Sequence, residues 1–251
     1  MMNHREPREK GRIAMRNELV RGGIDRQEAP RHGDQGDRGP SGPDRFFPEA
    51  STITISREAG SRGRAIGQRL GQRLGWQVYD RELLEFIAND SVAQAELNEE
   101  LSVAQKEWVE RTWRDLFAVL GQANREGFGS LFRVILSLGA KGRVILVGRG
   151  AHWILPEDQT LRIRVVGHLE ERVGYLSQTL RLSRNEANQR LKMRDQRRLE
   201  FAKTVFGQAI ADPIHYDMVL NSSRLGEDLC STLIRETITL KDGFSGRLVG
   251  G

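Results

Sequence analysis

From residue 51 onward the chain alternates short apolar runs with longer amphipathic stretches. Residues 51–56, STITIS, alternate β-branched and small polar side chains and stop at a glycine-rich turn, the pattern of a first strand. In 64–74, Ile66, Leu70 and Leu74 fall at helical spacing, and Gly75 follows as a left-handed cap. A short second strand is predicted over 76–79, ending at Asp80. Helical patterns then run over 81–89, 98–123 and 128–139 without a proline to interrupt them. Residues 143–147, RVILV, form a continuous apolar run of the kind buried on both faces of a parallel sheet. A strand over 161–166 leads into a helix from Leu169, and a polar, arginine-rich helical region covers 183–206. A last strand over 217–221 precedes a helix over 227–240.

Strands alternating with helices imply an α/β fold, a parallel sheet with right-handed crossovers and helices flanking both faces. Ligands of such sheets sit at the carboxyl ends of the strands. The residues there are polar, glycine-rich or basic: 56–64 after the first strand, Asp80 and Arg81 after the second, 148–150 after the third and 222–224 after the last.

The first 50 residues change the picture of domain organisation. They hold five of the seven prolines, seven glycines, ten Arg or Lys and nine Asp or Glu, with few clustered aliphatics. Such a segment buries too little apolar surface to offset the entropy of ordering it, so 1–48 is expected to be a disordered tail. Its two signs of charge interleave, which reads as a solvated tail rather than a nucleic-acid arm. One domain is expected over 49–241, with a flexible tail over 242–251. The formal net charge of +5 suits a protein that handles phosphates. No run of 18 apolar residues and no secretory leader pattern is present, so the expected setting is the cytoplasm, without a membrane partner. A lone Cys230 leaves no intramolecular disulfide framework, and His152, His168 and His215 have no carboxylate or cysteine spacing that makes a metal site.

The candidate chemistry begins with the first loop, residues 55–64, ISREAGSRGR. Gly60 and Gly63 let backbone N–H groups, including those of Ser61, Arg62 and Arg64, approach an anion where a helix starts. This loop resembles that of the cytidylate kinase-like family, I-S-R-E-x-G-S-G-G-R, with Arg62 where the family usually has glycine. The resemblance continues through Y-D-R-E-L at 79–83, V-G-R-G at 147–150, L-E-E-R at 169–172 and Y-D-x-V-L-N at 216–221, and covers about 52–240. It implies a P-loop NTP hydrolase-type sheet with a helical lid; the helical pattern over 98–139 reads as an insert between the second and third strands. Against the ordinary Walker loop, Glu58 stands at the first glycine, Arg64 at the lysine and Ala65 at the magnesium-binding hydroxyl. Arg64 can still meet phosphate oxygens as a planar fork.

The resemblance further implies that Arg149 grips the acceptor's monophosphate, a task suited to a guanidinium at a strand end. It places Asp80 and Arg81 on the acceptor side, although Asp80 equally suits an N-cap. Residues 190–201, RLKMRDQRRLEF, resemble the lid of these kinases, with Arg194 and Arg198 closing on the transferred phosphoryl group. Asp195 either fixes Arg198 at i, i+3 or contacts the acceptor. The implied reaction takes ATP and CMP to ADP and CDP with Mg2+, and Arg64, Arg194 and Arg198 carry the charge of the moving group. Two other readings stand beside it: a nucleotide-binding partner module without turnover, motivated by Glu58, Arg64 and Ala65, and a kinase for another small acceptor. No aromatic-plus-basic strand pattern supports nucleic-acid binding. The insert could widen the acceptor site or form the face of a homo-oligomer.

Overall fold

The computed structural model describes residues 51–248, with side chains through 241. The expected tail over 1–48 lies outside the described residues, as do the last three residues; the backbone of 242–248 continues the final helix. The elements are β1 (Thr52–Arg57), α1 (Gly63–Leu74), β2 (Gln77–Tyr79), α2 (Arg81–Asn89), α3 (Ser91–Glu99), α4 (Val103–Leu120), α5 (Gln122–Lys141), β3 (Val144–Val147), α6 (Ala151–Ile154), β4 (Thr160–Val166), α7 (Leu169–Leu180), α8 (Arg184–Phe206), a 3-10 turn (Pro213–His215), β5 (Met218–Asn221) and α9 (Ser222–Leu248). The last is interrupted at Gly226, whose backbone is not helical.

The five strands form one sheet in the order β2-β3-β1-β4-β5, and every adjacent pair is parallel. The α/β expectation therefore holds, with β1 at the centre. On one face Ile53 and Ile55 of β1 pack with Ile66 and Leu70 of α1 and with Cys230, Ile234 and Ile238 of α9. The polar half of STITIS does not face water: Thr52, Thr54 and Ser56 are buried as well. Alternation here separates an apolar layer from a second, partly polar buried layer, in keeping with a sheet covered on both faces. Among the described residues no helix is long and apolar enough to cross a membrane.

The helical insert differs from the expected run over 98–123. The chain turns at Leu101, and Ser102 begins a new helix: its side chain accepts from Gln105 N while the Gln105 side chain accepts from Ser102 N. That reciprocal capping box satisfies two orphan donors and fixes the break. Gly121 separates α4 from α5, which starts at Gln122 rather than at 128. Asp90 caps α3, a helix the apolar periodicity did not reveal. Trp113 of α4 donates its Nε1–H to the Gly129 carbonyl of α5 at 3.0 Å, which ties the two helices together. From there an aromatic series runs through Phe117 and Phe132 to Phe206 on α8, while Phe128 meets Phe201 edge-on. The insert is thus bound to the carboxyl half of α8.

Helix α1 approaches β2 so closely that a Cβ at Gly71 would lie 2.5 Å from Val78 Cγ2 and 2.8 Å from the Trp76 carbonyl oxygen. Gly71→Ala is expected to lower unfolding stability by about 1–2 kcal/mol in urea titrations, overpacking outweighing the gain in helix propensity.

Candidate functional site

The carboxyl ends of β1, β2 and β3 open into one cleft of about 730 Å³, roofed by α8. Nine arginines and three carboxylates line it, so its formal balance suits a multiply charged anion. The fourth expected contribution is absent: Ser222 and Ser223 are used to hold the end of β4, through Ser222 Oγ to the Val166 carbonyl and His168 N to Ser223 Oγ.

The loop after β1 is shaped by contacts a sequence cannot display. Gly60 has φ +76°, and a Cβ there would lie 2.4 Å from the Arg172 carbonyl oxygen, so only glycine fits. Ser61 is buried, its hydroxyl bonded to the Glu58 and Val165 carbonyls at 2.9 and 3.1 Å; it supports the loop from beneath. Arg62 holds a left-handed backbone at the cap of α1, and its guanidinium lies 5.3 Å from the Tyr175 ring centroid. Gly63 and Arg64 open α1, whose N-terminal amides and dipole favour an anion on the cleft side. Arg64 itself is 60% exposed and reaches sideways, 2.7 Å from Asp80 and 3.6 Å from Glu82. Asp80 also accepts from Leu83 N at 3.1 Å, so it is both the cap of α2 and the partner of Arg64.

Glu58, where an acidic side chain facing phosphates was expected to weaken the site, is turned away from that role. It accepts from Gly167 N and pairs with Arg172, each at 3.1 Å. Arg172, only 8% exposed, also holds Asp195 Oδ2 with two nitrogens at 2.9 and 3.0 Å. The other oxygen of Asp195 accepts from Ala59 N at 2.7 Å and from Arg198 at 3.2 Å. Of the two roles open to Asp195, the structure displays the fixing of Arg198. The same carboxylate ties α8 to the loop after β1. Neither Arg172 nor the Glu58 contact was singled out from the sequence, because their partners lie more than a hundred positions apart along the chain or on different helices.

Deeper in the cleft, Arg57 lies against the Gly148 turn, and a Cβ on Gly148 would collide with its guanidinium. Burial and the neighbouring Arg198 push Arg57 down to about 9. Burial also lowers Arg149 and Arg198. Like charges packed this closely resist protonation, and an anion placed among them relieves that resistance. Arg149 pairs with Glu85, as does Arg81 at 3.1 Å, and its guanidinium lies 5.9 Å from the Phe201 ring centroid. Arg194 lines the lid side with Arg190 and Arg197. Arg57, Arg190, Arg197 and Glu85 complete a constellation that the motifs named only in part.

Residues 52–224 match the cytidylate kinase-like family. The chain belongs to that family. The fold is similar to the crystal structure of an uncharacterized protein from Eubacterium ventriosum ATCC 27560, with a TM-score of 0.54 and 17% identity, covering 75% of this chain and 98% of that one. TT1252 from Thermus thermophilus is a more distant match, with a TM-score of 0.40 and 19% identity over 76% of this chain and 98% of that one. The first likeness bears on fold alone. No curated protein matches the chain significantly.

Membership of the cytidylate kinase-like family implies nucleotide substrates and a kinase-type phosphotransferase. The arginine-lined cleft fits the phosphates of such a ligand. Magnesium finds no ready cage: among the described residues no group of three His, Cys, Asp or Glu could hold a metal ion, and Ala65 offers no hydroxyl. The carboxylates of Asp80 and Glu82 on the cleft wall are what the chain can offer a hydrated metal–nucleotide complex.

Removing the Asp195 carboxylate leaves Arg172 with one partner and frees Ala59 N. Asp195→Ala should cost about 2–3 kcal/mol of stability by urea unfolding, with Asp195→Asn retaining part of it. A second expectation concerns His152, which burial first, and then Arg162, His215 and Arg164, push down to about 3. The unfolded chain protonates this ring near pH 6.5 and the folded chain does not. Stability contributed by the neutral ring is therefore complete above pH 6.5 and declines as pH falls toward 3, by about 1.4 kcal/mol per unit. Melts of His152→Phe and the parent chain should converge or cross as pH is lowered through this window; parallel curves would refute the assignment.

Proposed function

We propose that this member of the cytidylate kinase-like family is a nucleoside monophosphate kinase that transfers the γ-phosphoryl group of ATP to CMP or a related pyrimidine monophosphate. The observation that carries the reading is the convergence of Arg57, Arg149, Arg194 and Arg198 on one cleft at the N-terminus of α1. Phosphoryl transfer demands little covalent chemistry from the protein and much positioning and positive charge.

ATP phosphates would lie on the loop formed by Gly60, Ser61, Arg62, Gly63 and Arg64. The acceptor would lie near Asp80, Arg81 and Arg149, with Arg194 and Arg198 closing from α8. An acceptor phosphate oxygen attacks the γ-phosphorus in line, the bond from that phosphorus to the bridging oxygen breaks, and ADP leaves carrying the electron pair. Arg57 and Arg198 supply charge to the equatorial oxygens. Magnesium, if carried in by the nucleotide, would neutralise part of the phosphate charge, with Asp80 and Glu82 the carboxylates within the cleft near it. Arg64 must leave Asp80 to reach a phosphate, and Asp195 holds Arg198 in place rather than having a free carboxylate to offer the acceptor.

A second reading, nucleotide binding without turnover, is favoured by the Arg64–Asp80 pair and by Ala65, which together leave the phosphate loop without a committed cation or metal hydroxyl. Incubation with ATP, Mg2+ and each nucleoside monophosphate, with diphosphate formation followed, separates the two. Turnover with CMP that falls by about 10- to 100-fold in kcat/KM for Arg149→Ala, the loss of a charge-assisted hydrogen bond, is the expected result. Nucleotide binding with no diphosphate from any acceptor would replace the kinase reading by the second.

A further inference from the structure

Next to Arg149 in the chain, and against the Phe201 ring that its guanidinium faces, the cleft lining turns aromatic. His152, Trp153, Phe201 and Ile210 line this part. His152 is 3% exposed, with its ring centroid 4.0 Å from that of Trp153 and 5.0 Å from that of Tyr216. The tyrosine is fully engaged, its hydroxyl bonded to the Ile210 carbonyl at 2.9 Å and to Ser56 Oγ at 3.2 Å. The other two rings are not. Both His152 Nε2 and Trp153 Nε1 are buried without a hydrogen-bond partner among the described residues. Two such atoms on adjacent residues beside a cleft are unusual, since buried polar groups are nearly always paired and an unpaired one carries a desolvation cost that a matching ligand atom removes.

We infer that His152 and Trp153, with Phe201, form the subsite that reads the base of the acceptor and so set which monophosphate is preferred. This rests on the acceptor site proposed around Arg149. Flat aromatic walls suit the face of a base, and polar atoms at their edges suit its rim. The imidazole, held neutral by burial, offers one donor and one acceptor instead of a further cation. It therefore differs in kind from the arginines that meet phosphate. Trp153 offers a donor only. Their position three and four residues after Arg149 sets base recognition and phosphate binding on one turn of the chain, so that a single segment fixes the length of ligand between them. A subsite that relies on hydrogen bonds rejects a ligand lacking the matching group more strongly than an apolar one does.

Calorimetric titration of the full chain with CMP, UMP, AMP, GMP and ribose 5-phosphate tests this, using His152→Phe, His152→Gln and Arg149→Ala. His152→Phe keeps a flat ring and removes both nitrogens. The expected result is a loss of about tenfold in affinity for the preferred monophosphate, with the differences between bases compressed. Affinity for ribose 5-phosphate and for ATP stays as in the parent chain. His152→Gln, which restores a polar end, recovers part of the discrimination. Melting curves identify a variant that fails to fold, and the glutamine variant then carries the test. If both His152 variants bind every monophosphate with the parent's affinities, the ring only packs and the subsite is overturned. If Arg149→Ala also leaves monophosphate binding untouched, the acceptor site itself falls; if Arg149→Ala weakens all of them while the His152 variants do not, only the base-reading inference falls.

Discussion

The guanidinium of Arg172 is the point on which the cleft is assembled. It is nearly buried on α7, and it meets Glu58 from the loop after β1 and Asp195 from α8. Its own backbone carbonyl closes against Gly60. A buried cation of this kind is stable only when its neighbours supply charge and hydrogen bonds together, and here two carboxylates from distant segments do so. Three elements that have no sequence proximity are thereby set at fixed distances. A small apolar cluster of Ala59, Val173, Leu176, Ala187 and Leu191 fills the space beside them, separate from the main core under the sheet.

This arrangement explains how a cleft with so many arginines holds together. Glu58 and Asp195 are used up around Arg172, and Asp80 and Glu82 are drawn to Arg64, so the carboxylates near the cleft serve the frame. Arg57 is left facing Arg198, which together with burial makes Arg57 harder to keep protonated, while burial, Arg194 and Arg81 do the same to Arg198. The repulsion is sustained because Arg198 is anchored by Asp195 and by the Arg57 carbonyl at 3.1 Å. Packing energy from the sheet and its helices supports a local concentration of like charge that has no stabilising value of its own.

Much of this was legible in the sequence because it is local. β-branched runs, glycine-bounded turns and helical spacing gave the order of strands and helices, and the family motifs marked Gly60 to Arg64, Asp80 and Arg149 as neighbours of one cleft. The capping box at Ser102 was also local, and the pattern Ser102-x-x-Gln105 would have signalled the break in the insert. What stayed hidden depends on contacts across the fold. The direction of Glu58, the burial of Arg172 and the reach of Arg64 toward Asp80 follow from which helix lies against which strand. His152 gave no signal at all, since a lone histidine beside a tryptophan carries no spacing rule; only burial without a partner makes it stand out. The alternation in STITIS was read correctly as a strand, but polarity there reports a second buried layer rather than water.

Arg62 shows what such a site asks of the backbone. Its φ of 62° puts an arginine in a conformation that glycine occupies freely and that costs a branched or long residue about 1–2 kcal/mol. Glycine at this position would relax the turn and remove a cation from the cleft rim. The side chain that is present lies against Tyr175 instead, on the wall formed by α7. At this residue, then, folding and ligand attraction make opposite demands on one side chain, and the fold concedes.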